Sequence, residues 1–470
     1  MRSTAIAVAA AFLAGCASVG IEDALKSTNT SAQQFTGGQL ELSQTPEQRD
    51  RRAALTQQLL AKALSQNDAV QLALANSPSV QALIAQGWGD IAAANQTSRL
   101  PNPVFRFERM SLNSELELTR LLSLGLLDLI LLPQRLSISQ SQATQAKVQL
   151  TSAVIDQVTQ VRQAWVRAVA AQQSLQYAGQ VNQSAQASAE LARRMQRIGN
   201  FSKLQRARQQ VFYADAATQL AAAQHASNAA REALIRVLGL SDEQAAKLAL
   251  PERLPELPKT PREASEVAAT ATEQRLDVQL ARARLDVAGK SQGINLLSTF
   301  IDVDLGGRHD TVFDNAEGTS STRRGFEFGI RLPLFDWGSA QRAALNAQSL
   351  AAANRYDAAV RGATSQLRED YSAYRTAYDI ARHYRDEVVP LRQVMADENV
   401  LRYNGMLIGV FELLAEARDQ ISSVTSAINA QQQFWLADAA LAASVMGKPA
   451  SVGTSLASSG GDGSSAGAAH

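Results

Sequence analysis

The chain has 470 residues, with 45 Lys and Arg against 44 Asp and Glu. The resulting net charge of +1 provides no positive field for a nucleic acid. The single cysteine excludes an internal disulfide and a cysteine-based metal cluster, and the four histidines lie far apart in the sequence. The sequence shows no phosphate-binding loop, catalytic triad or metal motif, so it predicts neither an enzyme nor a cofactor.

Residues 1–15 are typical of an export signal. Arg2 precedes a short apolar stretch, too brief to span a bilayer as a helix, and the sequence Leu-Ala-Gly-Cys follows at residues 13–16. These four residues resemble the lipobox of bacterial lipoproteins, which implies cleavage before Cys16 and acylation of its thiol. An ordinary secretory signal with an incidental cysteine is the alternative. Ala17, where retained lipoproteins have Asp, favours the outer membrane by the same resemblance.

The next segment, residues 16–66, is polar and rich in Ser, Thr and Gln, and we expect a mostly extended arm without a core of its own. A helical pattern starts near Asn67 and ends at the prolines of residues 101–103. Two strands are predicted within residues 103–124, because apolar and polar side chains alternate there. Arg120 falls on the apolar side of this alternation, which indicates either a bulge or the edge of a membrane.

From Pro133 to about Ile198 the sequence is rich in Ala and Gln and predicts one helix of roughly 100 Å. Few large aromatic residues interrupt it, which favours coiled-coil packing over a domain core. Gly199 predicts a break, and a return helix runs to Gly239, which is expected to cap it. Four prolines then mark residues 240–274 as a linker.

The same order of elements follows a second time. Strands are predicted at residues 299–307 and 324–333, joined by a loop from Arg308 to Arg323. A long helix starts at Ser339, Gly405 breaks it, and a second return helix leads to a Ser- and Gly-rich tail at residues 448–470 that is expected to be disordered.

Landmarks of the two parts lie roughly 200 residues apart, which indicates a tandem duplication. Leu132-Pro133 pairs with Leu332-Pro333, and Gly199 pairs with Gly405. The predicted repeats span residues 67–239 and 275–447.

Strands with one apolar and one charged face suit an outer-membrane barrel, with lipid outside and water inside. A soluble, half-buried sheet alternates identically and is the alternative. Four strands cannot close a barrel, and an open sheet edge in lipid is prohibitive, so several chains must contribute. Two chains would give eight strands, and three would give twelve with an aqueous lumen.

With these features, the chain resembles the TolC-like outer-membrane factors, and Cys16 makes it most similar to their lipoprotein members. The resemblance covers residues 67–447. It rests on the duplicated unit, on Leu-Pro-Asn-Pro at residues 100–103, on Leu-Pro-Leu-Phe-Asp-Trp-Gly at residues 332–338, and on the two glycine breaks. It implies a mainly α-helical homotrimer with a small transmembrane β part: a twelve-stranded barrel continuous with a periplasmic helical tunnel.

The function implied by the resemblance is passive export. An inner-membrane transporter supplies energy, a periplasmic adaptor contacts the helical tips, and the trimer, inserted in outer-membrane lipid, conducts the solute. The implied tip residues are Ile198, Gly199, Asn200, Asn404, Gly405 and Met406. The alternatives are a channel for type I protein secretion and a non-conducting structural coiled-coil lipoprotein, which would leave the strands unexplained.

The resemblance also implies an acidic periplasmic gate after the second break. Glu412 falls on the family's acidic position, and Glu416 lies one turn later on the same helical face. Threefold symmetry would bring three copies of each residue together and favour cations in a narrow mouth. The alternative is that both glutamates lie on a solvated outer face, with Arg418 and Asp419 as ordinary surface charges.

Overall fold

The computed structural model describes residues 20–271, 275–298, 302–314, 316–331, 335 and 338–448. The predicted signal peptide, Cys16 and the tail beyond Lys448 lie outside the described residues, as do Pro333 and Trp337.

The first half of the chain is mostly helical and contains one pair of strands. Its elements are α1 (Glu22–Thr36), α2 (Pro46–Leu60), α3 (Gln66–Asn76), α4 (Pro78–Gln96), β1 (Val104–Leu112), β2 (Glu115–Gly125), α5 (Leu126–Ile130), α6 (Leu132–Arg197), α7 (Lys203–Leu238) and α8 (Asp242–Ala246). The 66 residues of α6 extend for about 100 Å at 1.5 Å per residue.

The second half has a similar order of elements. They are α9 (Ala264–Ala271), α10 (Leu276–Ser298), β3 (Asp302–Asp314), β4 (Thr319–Arg331), α11 (Ser339–His383), a π-helical segment (Tyr384–Val388), α12 (Val389–Asn404) and α13 (Val410–Val445). The π-helical segment ends two residues before Pro390, which has no backbone N–H for an α-helical bond. The long helix predicted from Ser339 is therefore three consecutive helical segments.

The expectation of an extended arm without a core is wrong. The arm forms α1 and α2, and it buries Ile21, Leu25 and Phe35 against the long helix. Arg162 of α6 stacks on the Phe35 ring at 4.5 Å and donates to the Phe35 carbonyl. Polar residues dominate the composition here, but the buried positions recur every three or four residues, which is the signal of an amphipathic helix.

A second correction concerns the middle of the long helices, which do contain aromatic residues in a packed core. Trp165 is buried, and its indole N–H donates to the Leu64 carbonyl at 2.8 Å. In the second half, Tyr374, Tyr378 and Phe434 form a related cluster. The helices are therefore held together midway along their length by cores that include the arm and the linker.

Tyrosine and tryptophan side chains tie the proline-rich linker to this central region. The Tyr378 hydroxyl bonds to the carbonyls of Pro258 and Lys259 at 3.1 Å, and the Trp435 indole donates to Pro255 at 3.0 Å. Linker carbonyls that lack partners of their own are satisfied in this way.

A largely buried carboxylate lies near the same linker. Asp438 pairs with Arg262 at 2.9 Å, and burial raises the pKa of this carboxyl, although Arg262 and Arg162 oppose the rise. Burial likewise lowers the pKa of Arg162.

The four strands form one antiparallel sheet in the order β1-β2-β3-β4. The central pair joins the two halves of the chain, with Leu121 opposite Arg308. The predicted loop from Arg308 to Arg323 is wrong, because most of it extends β3 and β4 and only a short turn around Gly318 remains. Alternation weakens in this stretch because small and polar residues occupy both faces, so the sequence pattern missed it. The mainly helical fold with a small sheet is confirmed.

Equivalent contacts close the return helices of both halves. Gly239 follows α7 with a left-handed φ of 67°, and a Cβ there would lie 2.8 Å from the Ser77 Cα. Gly447 follows α13 with a φ of 82°, and a Cβ there would lie 2.7 Å from the Leu276 nitrogen. Each glycine thus permits the same close approach to the helix that leads into the strands.

Candidate functional site

The register of the sheet assigns every strand residue to one of two faces. Directly opposed residues point to the same side, so the row Phe105–Leu122–Gly307–Phe326 shares one face. We call this side the apolar face. It also carries Leu124, Val303, Leu305, Phe328 and Ile330 in neighbouring rows.

The opposite side, the charged face, contains ion pairs within and between strands. Arg308 on β3 lies 2.8 Å from Asp310 and 3.8 Å from Glu117 on β2, and it also donates to the Thr119 hydroxyl. Glu108 and Arg323 lie in the row that contains Asp310. This face offers many polar groups to water.

The apolar face is exposed, unlike the packed face of a soluble half-buried sheet. Phe105, Phe326 and Phe328 on the apolar face are 63%, 84% and 54% exposed. On the charged face, Leu121 and Asp310 are buried at 4% and 7%. Large exposed apolar surfaces indicate contact with a membrane or a protein. The sheet is therefore built to place its apolar face against an apolar environment.

Arg120 is not a bulge. The pairing of β1 with β2 continues through Arg120 opposite Phe107 without an extra residue, and β3 places His309 beside it. Its guanidinium donates to the Thr311 hydroxyl at 3.2 Å. Arg120 thus belongs to a row at the border of the apolar rows.

The first tip, where α6 turns into α7, is formed by Ile198, Gly199 and Asn200. Gly199 has a φ of 85°, and bonds from its N–H to Gln196 and from Asn200 to Met195 complete a Schellman motif. The Ser202 hydroxyl and the Gln205 side chain then form a capping box for α7. Ile198 is 68% exposed at this turn.

The second tip, between α12 and α13, differs from the first. Asn404 ends α12, Gly405 has an ordinary φ of −79°, and Met406 adopts the left-handed conformation with a φ of 58°. The position equivalent to Gly199 is therefore Met406, and the predicted pairing of Gly199 with Gly405 is displaced by one residue. Met406 is 93% exposed, and Gly409 begins α13 without a side-chain cap.

The two glutamates proposed for a gate have different surroundings. Glu412 lies in the first turn of α13 and is exposed, and it forms no ion pair with another described residue. Glu416 is largely buried and lies 3.2 Å from Arg392 of α12, which also reaches Asp419 at 3.4 Å. Glu416 is thus held within one chain, whereas Glu412 is available to other groups.

Arg418 is not an ordinary surface charge. Its guanidinium stacks on the Phe212 ring at 4.4 Å and donates to Gln209 of α7 at 3.2 Å. Sequence reasoning missed this link between α7 and α13, because partners about 200 residues apart leave no local pattern. It also missed the role of Arg392, whose partners Glu416 and Asp419 lie on the other side of the turn between α12 and α13.

No helix in the described part of the chain has the length and hydropathy needed to cross a membrane. No group of His, Cys, Asp and Glu side chains among these residues is arranged to hold a metal ion.

This geometry can be compared with known proteins. Residues 267–445 match the family described as Outer membrane efflux protein. The match and the shared fold confirm the predicted resemblance to TolC-like channels. None of the curated proteins matches the chain. The outer membrane efflux protein family is one of channels, which agrees with the prediction that the chain is not an enzyme.

Solved structures share the fold over most of the chain. A membrane protein from Pseudomonas aeruginosa is 19% identical, with a TM-score of 0.68, and the match covers 83% of this chain and 93% of that one. The outer membrane protein VceC from Vibrio cholerae is 16% identical, with a TM-score of 0.66 and coverage of 82% and 96%. The MtrE outer membrane channel of Neisseria gonorrhoeae, in its open state, is 19% identical, with a TM-score of 0.62 and coverage of 82% and 89%.

Proposed function

We propose that this chain is the outer-membrane channel of a tripartite efflux pump, conducting solutes passively to the outside. The observation that carries the proposal is the two-faced sheet, whose exposed apolar face suits lipid and whose charged face suits a water-filled lumen. The match to the outer membrane efflux protein family supports the same reading.

A barrel requires more than one chain. In the four-stranded sheet, β1 and β4 are the edge strands, and their backbone groups need partners inside a membrane. Three copies joined edge to edge would give twelve strands and an aqueous lumen, and α6, α7 and α11–α13 would continue the conduit into the periplasm.

In this proposal, partner proteins supply the energy and select the solute. An inner-membrane transporter supplies the driving force, and a periplasmic adaptor contacts the two tips. Ile198 and Met406 are exposed apolar side chains at these turns and suit such a contact.

Lipidation of Cys16 would add an anchor to the barrel. Each buried methylene of an acyl chain contributes about 0.8 kcal/mol to membrane affinity. Metabolic labelling with a fatty acid is expected to mark the wild-type protein and leave Cys16→Ser unmarked. Labelling of Cys16→Ser would refute this part of the proposal.

The central test combines assembly, insertion and conduction. Crosslinking of the purified protein is expected to end at trimers, which should form ion-conducting pores in a planar bilayer. Phe328→Arg or Val303→Arg on the apolar face should cost roughly 2 to 4 kcal/mol near the bilayer midplane. Glu327→Gln and Asp302→Asn are the matched controls, because they change neighbouring residues on the charged face.

The proposal fails if crosslinking ends at dimers, or if substitutions on the two faces impair membrane insertion equally. A stable trimer that forms no pore would instead support a structural spacer.

A further inference from the structure

Charged residues are divided unequally between the two faces of the sheet. Every acidic residue of the four described strands lies on the charged face: Glu108, Glu115, Glu117, Asp302, Asp304, Asp310, Asp314 and Glu327. The apolar face carries no acidic residue in these strands, yet it carries Arg109, Arg120, His309 and Arg324. Basic residues without acidic ones indicate that the counter-charge comes from outside the sheet.

These basic residues lie together at one border of the apolar rows. Arg120, His309 and Arg324 occupy one row across β2, β3 and β4, with Phe107 on β1. Because neighbouring strands lie about 4.8 Å apart, their Cα atoms span roughly 10 Å. The row follows Phe105–Leu122–Gly307–Phe326 on the side toward the hairpin turns, away from the helices.

The basic side chains of the apolar face have few hydrogen-bond partners within the sheet. Arg120 donates to Thr311, and His309 Nδ1 is buried without a hydrogen-bond partner. Within the described ranges, no carboxylate forms an ion pair with Arg109, Arg120 or Arg324. On the other face Arg308, one residue from His309, is paired with Asp310 at 2.8 Å. In the described strands, Arg308 on the charged face is therefore paired with a carboxylate, whereas the arginines of the apolar face are not.

We infer that this row binds the phosphate groups of a lipid in the outer leaflet. Acyl chains of the same lipid would cover the adjacent apolar rows, and its phosphates would then lie level with the basic row. A guanidinium presents paired N–H donors that match phosphate oxygens, so two arginines and a histidine suit a phosphorylated headgroup. The inference rests on the proposed membrane insertion and adds a lipid-binding site to it.

Binding of diphosphoryl lipid A to the full-length trimer in neutral detergent tests this inference. The double variant Arg120→Gln/Arg324→Gln is expected to weaken binding roughly 10- to 100-fold, since charge-assisted hydrogen bonds are lost. Arg323→Gln is the matched control, because it removes the same charge from the next residue of β4 on the opposite face. It should leave binding unchanged.

Two further arms identify the ligand. Dephosphorylated lipid A should bind the wild type as weakly as diphosphoryl lipid A binds the double variant. Inorganic phosphate at millimolar concentration should not displace the lipid. The inference would be overturned by equal binding of lipid A to the double variant and to Arg323→Gln, by binding that is indifferent to the lipid's phosphates, or by displacement of the lipid by free phosphate. Flotation of each variant with vesicles reports insertion separately, so failure of the proposed channel is distinguishable from failure of this site.

Discussion

The two helical tips share a backbone motif but differ in how firmly it is held. An offset of 207 residues superimposes their Schellman bonds, since Gly199 to Gln196 corresponds to Met406 to Tyr403. At the first tip, glycine occupies the left-handed position and a capping box starts the return helix. At the second tip, methionine occupies that position and the return helix starts without a side-chain cap.

The contacts between the helices behind the two tips also differ. Ala185 and Val181 of α6 pack against Ala216 of α7 in a small apolar cluster behind the first tip. At the positions equivalent to Ala185 and Gln209, the second hairpin has Arg392 and Glu416, which form an ion pair. An apolar contact persists when conditions change, whereas an ion pair responds to salt and charge. We therefore expect the second hairpin to respond to salt and to changes of charge more than the first.

Removing the ion pair should have the largest effect on this difference. Glu416→Gln leaves the partly buried Arg392 with only the exposed Asp419 as an ion-pair partner. We expect the second hairpin to lose about 1 to 3 kcal/mol of stability, a value between those of exposed and fully buried ion pairs. Hydrogen exchange of peptides from α12 and α13 should show the loss. Glu398→Gln is the control, because this exposed glutamate of α12 has no ion-pair partner among the described residues. Equal exchange in both variants would contradict the argument.

Exchanging the residues at the left-handed position should reverse part of the difference. Gly199→Ala is expected to destabilise the first tip by about 1 to 2 kcal/mol, the usual cost of a side chain in that conformation. Met406→Gly relieves a similar cost but stabilises the unfolded chain by about 0.4 to 1 kcal/mol through its greater freedom, so a net gain of about 0 to 1.6 kcal/mol in folding stability is expected.

Hydrogen exchange at each tip measures both effects. Gly405→Ala is the control, since Gly405 has a φ of −79° and any residue adopts that conformation. If Gly405→Ala destabilised the second tip as much as Gly199→Ala destabilises the first, the assigned equivalence of Gly199 and Met406 would be wrong.

Changes at the helix starts should have smaller effects. Ser202→Ala removes the cap of α7 and should cost about 1 kcal/mol, whereas Gly409→Ser should stabilise α13 by only a few tenths. Exchange of the first-turn amides of α7 and α13 is the measurement. Thr218→Ala, at an exposed position within α7, controls for loss of a hydroxyl in the helix. If Gly409→Ser stabilised α13 by more than Ser202→Ala destabilises α7, helix capping would not explain the difference between the tips.

Much of this architecture could be predicted because its signals are local. The long helices, the strand alternation and the breaks near Gly199 and Gly405 all follow from spacing along the chain. The arm was mispredicted because composition was given more weight than the spacing of Ile21, Leu25 and Phe35. The central core was not predicted because its contacts join distant parts of the chain: Trp165 bonds to Leu64, and Tyr378 bonds to Pro258.

The candidate site was predictable to a smaller extent. Which face of the sheet is exposed follows from the register between β2 and β3, which pairs residues about 190 apart. The shift of the left-handed residue from Gly405 to Met406 depends on where α12 ends, and single residues at helix ends are the least predictable features of a sequence.

The smallest effect on stability, and the most specific effect on function, is expected at Glu412. This glutamate is exposed and has no ion-pair partner among the described residues, so Glu412→Gln should leave hydrogen exchange of the hairpin unchanged. In the proposed trimer, three copies at the narrow end would form a ring of negative charge that favours cations. Glu416 is already paired with Arg392, so its own contribution to such a ring should be small.

Single-channel recording of the purified trimer in a planar bilayer separates these roles. Glu412→Gln should reduce cation selectivity and the sensitivity to divalent blockers. Glu416→Gln should mainly raise the probability of opening, because it loosens the hairpin without removing the charged ring. Glu398→Gln again controls for the loss of one negative charge on the same hairpin. Wild-type selectivity and block in the double variant Glu412→Gln/Glu416→Gln would exclude an acidic gate. Closure would then depend on contacts between helices such as that of Arg418 with Gln209 and Phe212, and the channel itself would be unaffected.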